Sequence, residues 1–424
     1  MGVRAEIICI GDELLTGGTV ETNSAEIGRF LRLRGVTVRR AVSVADSLPA
    51  IVGALREASE VDLCVITGGL GPTSDDLTSS ALAKAAGVDC GRLAEAIAEV
   101  EAALARRGRE LDPIQLRQAE VPVGAVMIKN PVGIAPGFAL EIGGRLVVAL
   151  PGVPGEMRSM LDGVAELFAE RGWPDKPRAR QIFRCFGLRE AAIAALVEPV
   201  FAELGLVEAS VGVHYRALGP EVDLTVDTED LELADARALE ARLREALAEA
   251  LYGLGEADLA VRIAECLRAH GLMLATAESC TGGRVAAAMT GIAGVSACFH
   301  GGVVAYHNGI KEKVLGIPAE VLETHGAVSE PVARGMADGV RAAFDGHADL
   351  GVGITGIAGP GGGSEAKPVG TVDIAVSDGE VSHYRRFLFR GDRSAIQRDA
   401  TAWALWMVFQ RLRERGLSSV DLVD

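Results

Sequence analysis

Short apolar runs alternate with amphipathic helical stretches along residues 1–170, and this alternation limits the fold more than any other feature of the sequence. AEIICIG, VTVRRAVSV and VDLCVITGG have the β-branched, apolar character of strands, whereas TNSAEIGRFLRLRG and SLPAIVGALREASE between them have helical periodicity. Strands that are joined through helices pair in parallel, because the helix returns the chain to the same edge of the sheet. The pattern predicts an α/β domain with a doubly wound parallel sheet covered by helices.

The rest of the chain predicts two further domains, in keeping with a length of 424 residues. RGWPDKPRAR is rich in proline and charge and predicts a linker near residues 171–180. Strand-like and helical runs follow it and predict a small α+β domain, with Gly253 and Gly255 closing its last helix. Strands and helices then alternate again and predict a separate C-terminal α/β domain. The predicted domains are residues 1–170, 175–254 and 258–424.

Charge and composition exclude several classes of protein. A protein that binds the phosphate backbone of a nucleic acid needs a basic surface, whereas this chain has a formal net charge of -16. We therefore expect no direct nucleic-acid partner. The sequence has no apolar stretch of about 18 residues and no signal-peptide core, so we expect no membrane partner. Seven scattered cysteines without a CxxC pair are typical of reduced thiols and offer no structural zinc motif. We expect a cytoplasmic protein that acts on small molecules.

Three loops that follow predicted strands in residues 1–170 carry polar or acidic side chains. No histidine occurs in this part of the chain, so chemistry here must use carboxylates, hydroxyls, amides or a bound metal ion. In TGGLGPTSDD the glycines let backbone amides approach a phosphate, and Thr73 or Ser74 can cap a helix that begins at Asp75. Asp75 and Asp76 can hold a hard cation on phosphate oxygens, or they can merely complement the positive end of that helix.

AESCTGG, residues 277–283, poses a second chemical question, because Ser279 needs a base to become a nucleophile. The motif is neither GxSxG nor SxxK, so the base lies elsewhere in the sequence. The candidates are the later histidines and Lys311, and a lysine acts as a base only if its pKa is lowered. Tyr306 can relay a proton, and the segment TGIAGPGGGSEAKPVGT can close over a substrate. The alternatives are that Ser279 caps a helix and that Lys311 is an ordinary solvated lysine.

The motifs GDELLTG, TN, GGLGPTSDD, NPVGIAPG and LPGVPGEM occur in that order along residues 1–170. In this order they resemble the motifs of the CinA family (competence/damage-inducible protein CinA), whose first domain is similar to the molybdopterin-binding fold, although Gln115 stands where we expect asparagine. The resemblance implies a pyrophosphatase that uses a divalent metal ion to convert ADP-ribose to AMP and ribose 5-phosphate. The implied substrate contacts are Asn23, Gly68, Gly69, Gly71, Thr73 and Asn130, and the implied metal ligands are Asp12, Asp75 and Asp76.

A second set of motifs follows in the C-terminal part of the chain, namely AESCTGG, FHGGVVAYHNGIK, HGAVSEPVA, TGIAGPGGG and KPVGT, together with GDR at 391–393. They resemble the nicotinamide mononucleotide deamidase domain of the same family, although Ala293 stands in place of a usual proline. The resemblance implies hydrolysis of nicotinamide mononucleotide to nicotinic acid mononucleotide and ammonia without a cofactor. Ser279 would attack, Lys311 would be the base, Tyr306 would assist proton transfer and Arg393 would hold the phosphate. The other implied contacts are Thr281, Gly282, Gly283, Thr355, Gly356 and Gly359, and we expect amides of residues 281–283 to hold the oxyanion.

Two functions of other classes stay open at this point. One is a binding module whose first domain holds a pterin or a nucleotide without turnover. The other is an interaction partner in competence or DNA repair, against which the acidic net charge argues. We also expect a homodimer, which the apolar, glycine-rich C-terminal domain can support.

Overall fold

The computed structural model describes residues 2–58, 60–173, 175, 179–206, 211–228, 231–344, 346 and 348–417. The chain divides into two compact units, Met1–Arg178 and Ala179–Asp424. Much of the predicted linker, namely residues 174 and 176–178, lies outside the described residues. The division into three domains with separate activities stays a prediction.

The first unit is built on a six-stranded sheet in the order β2-β1-β3-β8-β7-β6. β1, β2, β3 and β8 run parallel, whereas β6 and β7 at one edge run antiparallel. A separate pair, β4 with β5, is antiparallel. The strands are β1 (Arg4–Ile10), β2 (Thr37–Val44), β3 (Leu63–Thr67), β4 (Cys90–Arg92), β5 (Glu120–Pro122), β6 (Val126–Ile128), β7 (Gly137–Ile142) and β8 (Arg145–Leu150).

Helices cover both faces of this sheet, as the alternating sequence predicts. Successive side chains of a strand point to opposite faces, so Ile8 packs in one core cluster with Leu55, and Ile7 packs in the other with Leu31 and Phe168. The predicted doubly wound α/β fold is therefore confirmed. The helices are α1 (Asp12–Leu15), α2 (Asn23–Arg32), α3 (Leu48–Glu57), α4 (Thr78–Ala86), α5 (Ala94–Ala105), α6 (Pro154–Ser159) and α7 (Leu161–Glu170).

The second unit begins with a four-stranded antiparallel sheet in the order β10-β11-β9-β12. The expectation that Gly253 closes a helix is wrong, because Gly253 lies within β12, which pairs with β9. The apolar faces of two helices pack on the sheet, so the predicted α+β pattern is present. The elements are β9 (Arg180–Phe186), α8 (Glu190–Glu203), β10 (Val213–Leu218), β11 (Glu221–Asp227), α9 (Leu233–Leu247) and β12 (Leu251–Leu254).

A five-stranded sheet in the order β14-β13-β15-β16-β17 follows in the same unit. β14, β13 and β15 are parallel, whereas β16 and β17 are antiparallel. Helices lie on both faces. The strands are β13 (Leu274–Glu278), β14 (Phe299–Val304), β15 (Leu350–Gly356), β16 (Thr371–Ser377) and β17 (Ser382–Leu388). The helices are α10 (Leu259–Ala269), α11 (Arg284–Thr290), α12 (Asn308–Lys313), α13 (Ala319–His325), α14 (Glu330–Ala343) and α15 (Arg393–Glu414).

None of the helices in the described part of the chain is long and apolar enough to cross a lipid bilayer.

Candidate active site

Ser279 is placed by the end of a central parallel strand. β13 ends at Glu278, and the Ser279 amide still donates to the Ile354 carbonyl of β15 at 2.9 Å. The chain then turns through Gly282 and Gly283, which have φ values of 65° and 93° that favour glycine. This turn leaves the Ser279 side chain at the carboxyl edge of the sheet, where ligands bind in open α/β folds.

The expectation that Ser279 caps the next helix is wrong. α11 begins only at Arg284, after the glycine turn. The buried Glu278 carboxylate serves this helix instead, because it accepts hydrogen bonds from the amides of Gly283 at 3.0 Å, Val285 at 3.1 Å and Ala286 at 2.8 Å. The anion lies where the helix N-terminus is positive, so it satisfies orphan amides and complements the dipole.

The same contacts correct the predicted oxyanion site. The Gly283 amide donates to Glu278, and the Gly282 amide donates to the Ser279 carbonyl at 3.2 Å. An amide that is already bonded inside the turn has no hydrogen left for a developing oxyanion. The amides of residues 282 and 283 are therefore unavailable for the role that we expected.

Lys311 is a buried amine beside Ser279. Its side chain on α12 is 1% exposed, and Nζ lies 3.4 Å from Ser279 Oγ. Nζ also donates to the Ala305 carbonyl at 2.7 Å, and no carboxylate forms an ion pair with it in the residues that the structure describes. Burial lowers the pKa of Lys311 because the charged ammonium loses its hydration. The alternative of a solvated lysine is wrong.

A cavity of about 260 Å³ joins these two side chains to most of the other predicted contacts. Thr355, Gly356 and Gly359 line it, as do Tyr306 and Arg393. Thr281, Gly282 and Gly283 are not among the lining residues that the structure describes. The glycine-rich segment that follows β15 thus lines the cavity, whereas the glycine turn at residues 281–283 does not.

Arg393 and Tyr306 meet on one side of this cavity. Arg393 donates to the Gly359 carbonyl at 2.8 Å and lies 3.3 Å from the Tyr306 hydroxyl. Tyr306 is 64% exposed, and its described hydrogen bond is to Arg393 rather than to Ser279 or Lys311. This geometry brings Tyr306 to the guanidinium that we expect to hold a phosphate. Its assignment as a proton relay stays a prediction.

The rival bases are not near Ser279. No histidine of the described residues lines the cavity, and His347 lies outside those residues. His307 is close in sequence to Lys311, but its ring nitrogen accepts from the Gly309 amide at 3.1 Å and so caps α12. Among the candidates that the structure describes, only Lys311 has a nitrogen within hydrogen-bond distance of Ser279.

Sequence reasoning missed two polar residues at this site. Glu278 holds the turn after Ser279, and an acid just before a glycine turn and a helix is a signal that could have been read. Gln397 donates from Nε2 to the Cys280 carbonyl at 2.7 Å. It stands four residues after Arg393 on α15, so both lie on one helix face, and that spacing could have suggested it.

The first unit has a larger cavity, of about 450 Å³, at the carboxyl ends of its parallel strands. Of the predicted contacts, Asn23, Gly68, Gly69 and Gly71 line it, and so do Asp75 and Asp76. Asp12, Thr73 and Asn130 do not appear among the described lining residues. Asn130 instead bonds inside the wall, to the Ala135 carbonyl, the Glu156 carboxylate and the amides of residues 132 and 133.

The TGGLGPTSDD loop folds on itself rather than opening a helix. The Asp76 carboxylate accepts from the Gly71 amide at 2.7 Å, and from the amide and hydroxyl of Thr73 at 2.8 and 2.6 Å. α4 begins at Thr78, so the expected helix start at Asp75 and its cap by Thr73 are wrong. The Gly68 amide donates to Leu150, so neither it nor the Gly71 amide is free to bind phosphate.

The cavity of the first unit is strongly acidic. Glu13, Asp46, Asp75 and Asp76 line it, and none of its described lining residues is lysine, arginine or histidine. Burial raises the pKa of Asp46, and the nearby carboxylates of Asp12, Glu13 and Asp75 raise it further. These oxygen donors suit a hard cation in their chemistry. Yet no group of three or more described His, Cys, Asp or Glu side chains is arranged to hold one, so the metal site stays a prediction.

Comparison with known proteins identifies the family. The family model for the CinA C-terminal domain matches residues 256–412, and the model described as "Probable molybdopterin binding domain" matches residues 6–170. A CinA-like protein of Citrifermentans bemidjiense is 40% identical over 400 residues, which cover 93% of this chain and 94% of the relative. The chain belongs to the CinA family.

A second relative agrees with this assignment and confirms the resemblance seen in the motifs. A CinA-like protein of Gemmatimonas aurantiaca is 43% identical over 415 residues, with 94% of each chain covered. The crystal structure of the protein CinA with unknown function from Thermoplasma acidophilum is 42% identical, with a TM-score of 0.36. It covers 38% of this chain and 97% of its own. The names of these CinA proteins state no substrate.

Proposed function

We propose that the C-terminal site hydrolyses the amide of nicotinamide mononucleotide to give nicotinic acid mononucleotide and ammonia. The observation that carries this proposal is the buried Lys311 amine 3.4 Å from the Ser279 hydroxyl. A buried lysine that has lost its charge can act as a general base, and a base beside a serine makes the serine hydroxyl a nucleophile. The family resemblance supplies the substrate, and the arginine at the cavity suits its phosphate.

The reaction proceeds in two steps through an ester on Ser279. Neutral Lys311 takes the hydroxyl proton as Oγ attacks the amide carbon, and the resulting ammonium gives that proton to the departing nitrogen, which leaves as ammonia. Water then enters, Lys311 takes one of its protons, and the hydroxide attacks the ester carbon. The bond to Ser279 Oγ breaks, the Lys311 ammonium returns its proton to Oγ, and the carboxylic acid leaves. The Ala305 carbonyl accepts one Nζ hydrogen and so orients the amine in both steps.

The test is ammonia release from nicotinamide mononucleotide by paired variants. Ser279→Ala and Lys311→Met should each lower kcat on the order of 10³-fold or more, because each removes half of the nucleophile-base pair. Lys313→Met is a matched control, since Lys313 is exposed on the same short helix. Turnover by Lys311→Met at the rate of Lys313→Met would refute the proposed base.

We also propose that the cavity of the first unit hydrolyses ADP-ribose to AMP and ribose 5-phosphate with a divalent metal ion. Its acidic lining without cationic side chains supports the metal requirement, because a diphosphate needs a positive charge to enter such a cavity. Asp46 and Asp75 are lining carboxylates that would contribute donors to the ion, beside the oxygens of the diphosphate itself. When bound, a metal would neutralise the diphosphate and polarise its phosphorus.

The test separates catalysis from binding alone. AMP formation from ADP-ribose should require added Mg²⁺ or Mn²⁺, and Asp75→Asn should lower it. Asp89→Asn removes an exposed acid that does not line the cavity, so it should leave the rate unchanged. Tight binding of ADP-ribose without AMP formation in the parent protein would instead establish the first unit as a binding module.

A further inference from the structure

A second cavity in the Ala179–Asp424 unit shares no lining residue with the cavity at Ser279. Its volume is about 240 Å³, and its walls come from α10, α11, α15 and the start of β11. Leu259 and Leu405 give it an apolar surface together with the small side chains of Ala288 and Ala402. The deamidase mechanism uses none of these residues.

Two arginines line this cavity, and Asp399 interacts electrostatically with one of them, Arg398. Arg284 on α11 and Arg398 on α15 are exposed, and neither forms a hydrogen bond or an ion pair in the part of the chain that the structure describes. Each arginine stands four residues before an alanine that also lines the cavity, Ala288 on α11 and Ala402 on α15, so each pair lies on one face of its helix. Two guanidinium groups on neighbouring helices therefore face the same cavity with free donors.

The two acids at this cavity are already satisfied. Asp258 accepts from the Val261 amide at 2.9 Å as the cap of α10. Glu221 accepts from the Tyr252 hydroxyl and lies 3.8 Å from Arg184, and burial raises the pKa of Glu221, which disfavours its charged form. Neither acid forms an ion pair with the two arginines in the described residues, so both guanidinium groups keep their hydrogen-bond donors for a ligand.

We propose that this cavity binds a small organic anion. Its carboxylate or phosphate would be held by Arg284 and Arg398, because guanidinium forks match both groups. Its flat apolar part would lie against Leu259 and Leu405. The volume is below the roughly 300–1,000 Å³ of sites for drug-sized ligands, so the ligand is smaller than a dinucleotide.

The helices that line this cavity also belong to the site at Ser279. α11 follows the turn that carries Ser279, and α15 carries Arg393 and Gln397 on its first two turns. An occupant would contact both helices at once. Trp403 and Trp406 also belong to α15, beside Ala402 and Leu405, so their fluorescence can report binding directly. The binding claim therefore does not depend on the proposed deamidase activity.

The experiment is a titration of the full chain with benzoate, a flat aromatic carboxylate, followed by tryptophan fluorescence. Binding should be saturable, and benzyl alcohol, which lacks the charge, should not give it. Arg284→Gln and Arg398→Gln should each weaken benzoate binding at least tenfold. Arg237→Gln is the matched control, because this arginine is exposed on α9 and has no contact with the cavity.

Two results would overturn the proposal. One is the absence of saturable benzoate binding, or equal binding by the two cavity variants and Arg237→Gln. The other is loss of binding in Arg393→Gln with full binding in Arg284→Gln, which would assign the anion to the cavity at Ser279. Circular dichroism of each variant shows that the fold is kept, since both cavity arginines are exposed.

Discussion

At the scale of single residues, the chemistry of the C-terminal site depends on how Lys311 is solvated. A lysine in water has a pKa near 10.4 and is protonated at neutral pH, so it can take no further proton. Burial removes the water that stabilises the ammonium, and the lysine has no carboxylate partner in the described residues to replace it. The sequence alone could name Lys311 as a candidate, but its burial depends on residues far along the chain.

The lowered pKa of Lys311 predicts a pH dependence with a definite sign. Amide hydrolysis should rise with pH through the lowered pKa, since only the neutral amine is a base, and the midpoint should lie below that of free lysine. Stability should rise with pH between this lowered pKa and the pKa of about 10.4 of a lysine in the unfolded chain, because in that window the unfolded chain binds the proton more tightly than the folded chain does. A pH series of kcat/KM and of urea unfolding tests both, and in Lys311→Met the stability slope of this group should disappear. A fall of kcat/KM with rising pH in this window would contradict the assignment.

At the scale of elements, the turn between β13 and α11 holds the nucleophile. Both carboxylate oxygens of Glu278 accept hydrogen bonds, from three amides of this turn and helix. Gln397 on α15 donates to the Cys280 carbonyl. Glu278 and Gln397 are positioning residues, since their described hydrogen bonds go to backbone groups rather than to Ser279 or Lys311. The rigid placement of a reacting hydroxyl lowers the entropy cost of attack.

Glu278→Gln should weaken this turn while changing little in size. The glutamine oxygen can still accept, but its NH₂ group faces an amide donor that then has no acceptor, at a cost of about 1–3 kcal/mol. The melting temperature should fall, and kcat should fall more than KM rises, because substrate contacts elsewhere remain. Glu323→Gln, an exposed acid on α13, is the control and should change neither. A kcat equal to that of the control would remove Glu278 from positioning the nucleophile.

The sequence predicts an element well where the local pattern of apolar residues determines it. It predicts an element poorly where the element depends on contacts with residues distant in sequence. The apolar run of β3 could be read directly, because all five of its residues are buried. β12 could not, since LYGL becomes a strand only through pairing with β9, which is distant in sequence, and its glycine resembles a helix stop. The start of α4 was misplaced because Asp76 bonds to loop amides that no local propensity reveals.

At the scale of the whole molecule, an aromatic contact joins the four-stranded sheet of the second unit to α15. Phe186 at the end of β9 stacks on Trp406 of α15 at 4.7 Å between ring centroids and meets Trp403 edge-on at 5.0 Å. Aromatic pairs of this geometry add to the free energy of burial. The same α15 carries Arg393 and Gln397, so this contact supports the helix that reaches the candidate active site.

Phe186→Ala should therefore destabilise the second unit strongly, because it leaves a cavity between the four-stranded sheet and α15. The side chain is 2% exposed, and truncation of a buried phenylalanine costs about 3–5 kcal/mol. Leu388→Ala is the control, since Leu388 is 62% exposed on β17 and its loss should cost little. Calorimetry of the two variants measures the difference. Equal transitions in the two variants would mean that the Phe186 stack does not stabilise this unit, and α15 would then depend on its own sheet alone.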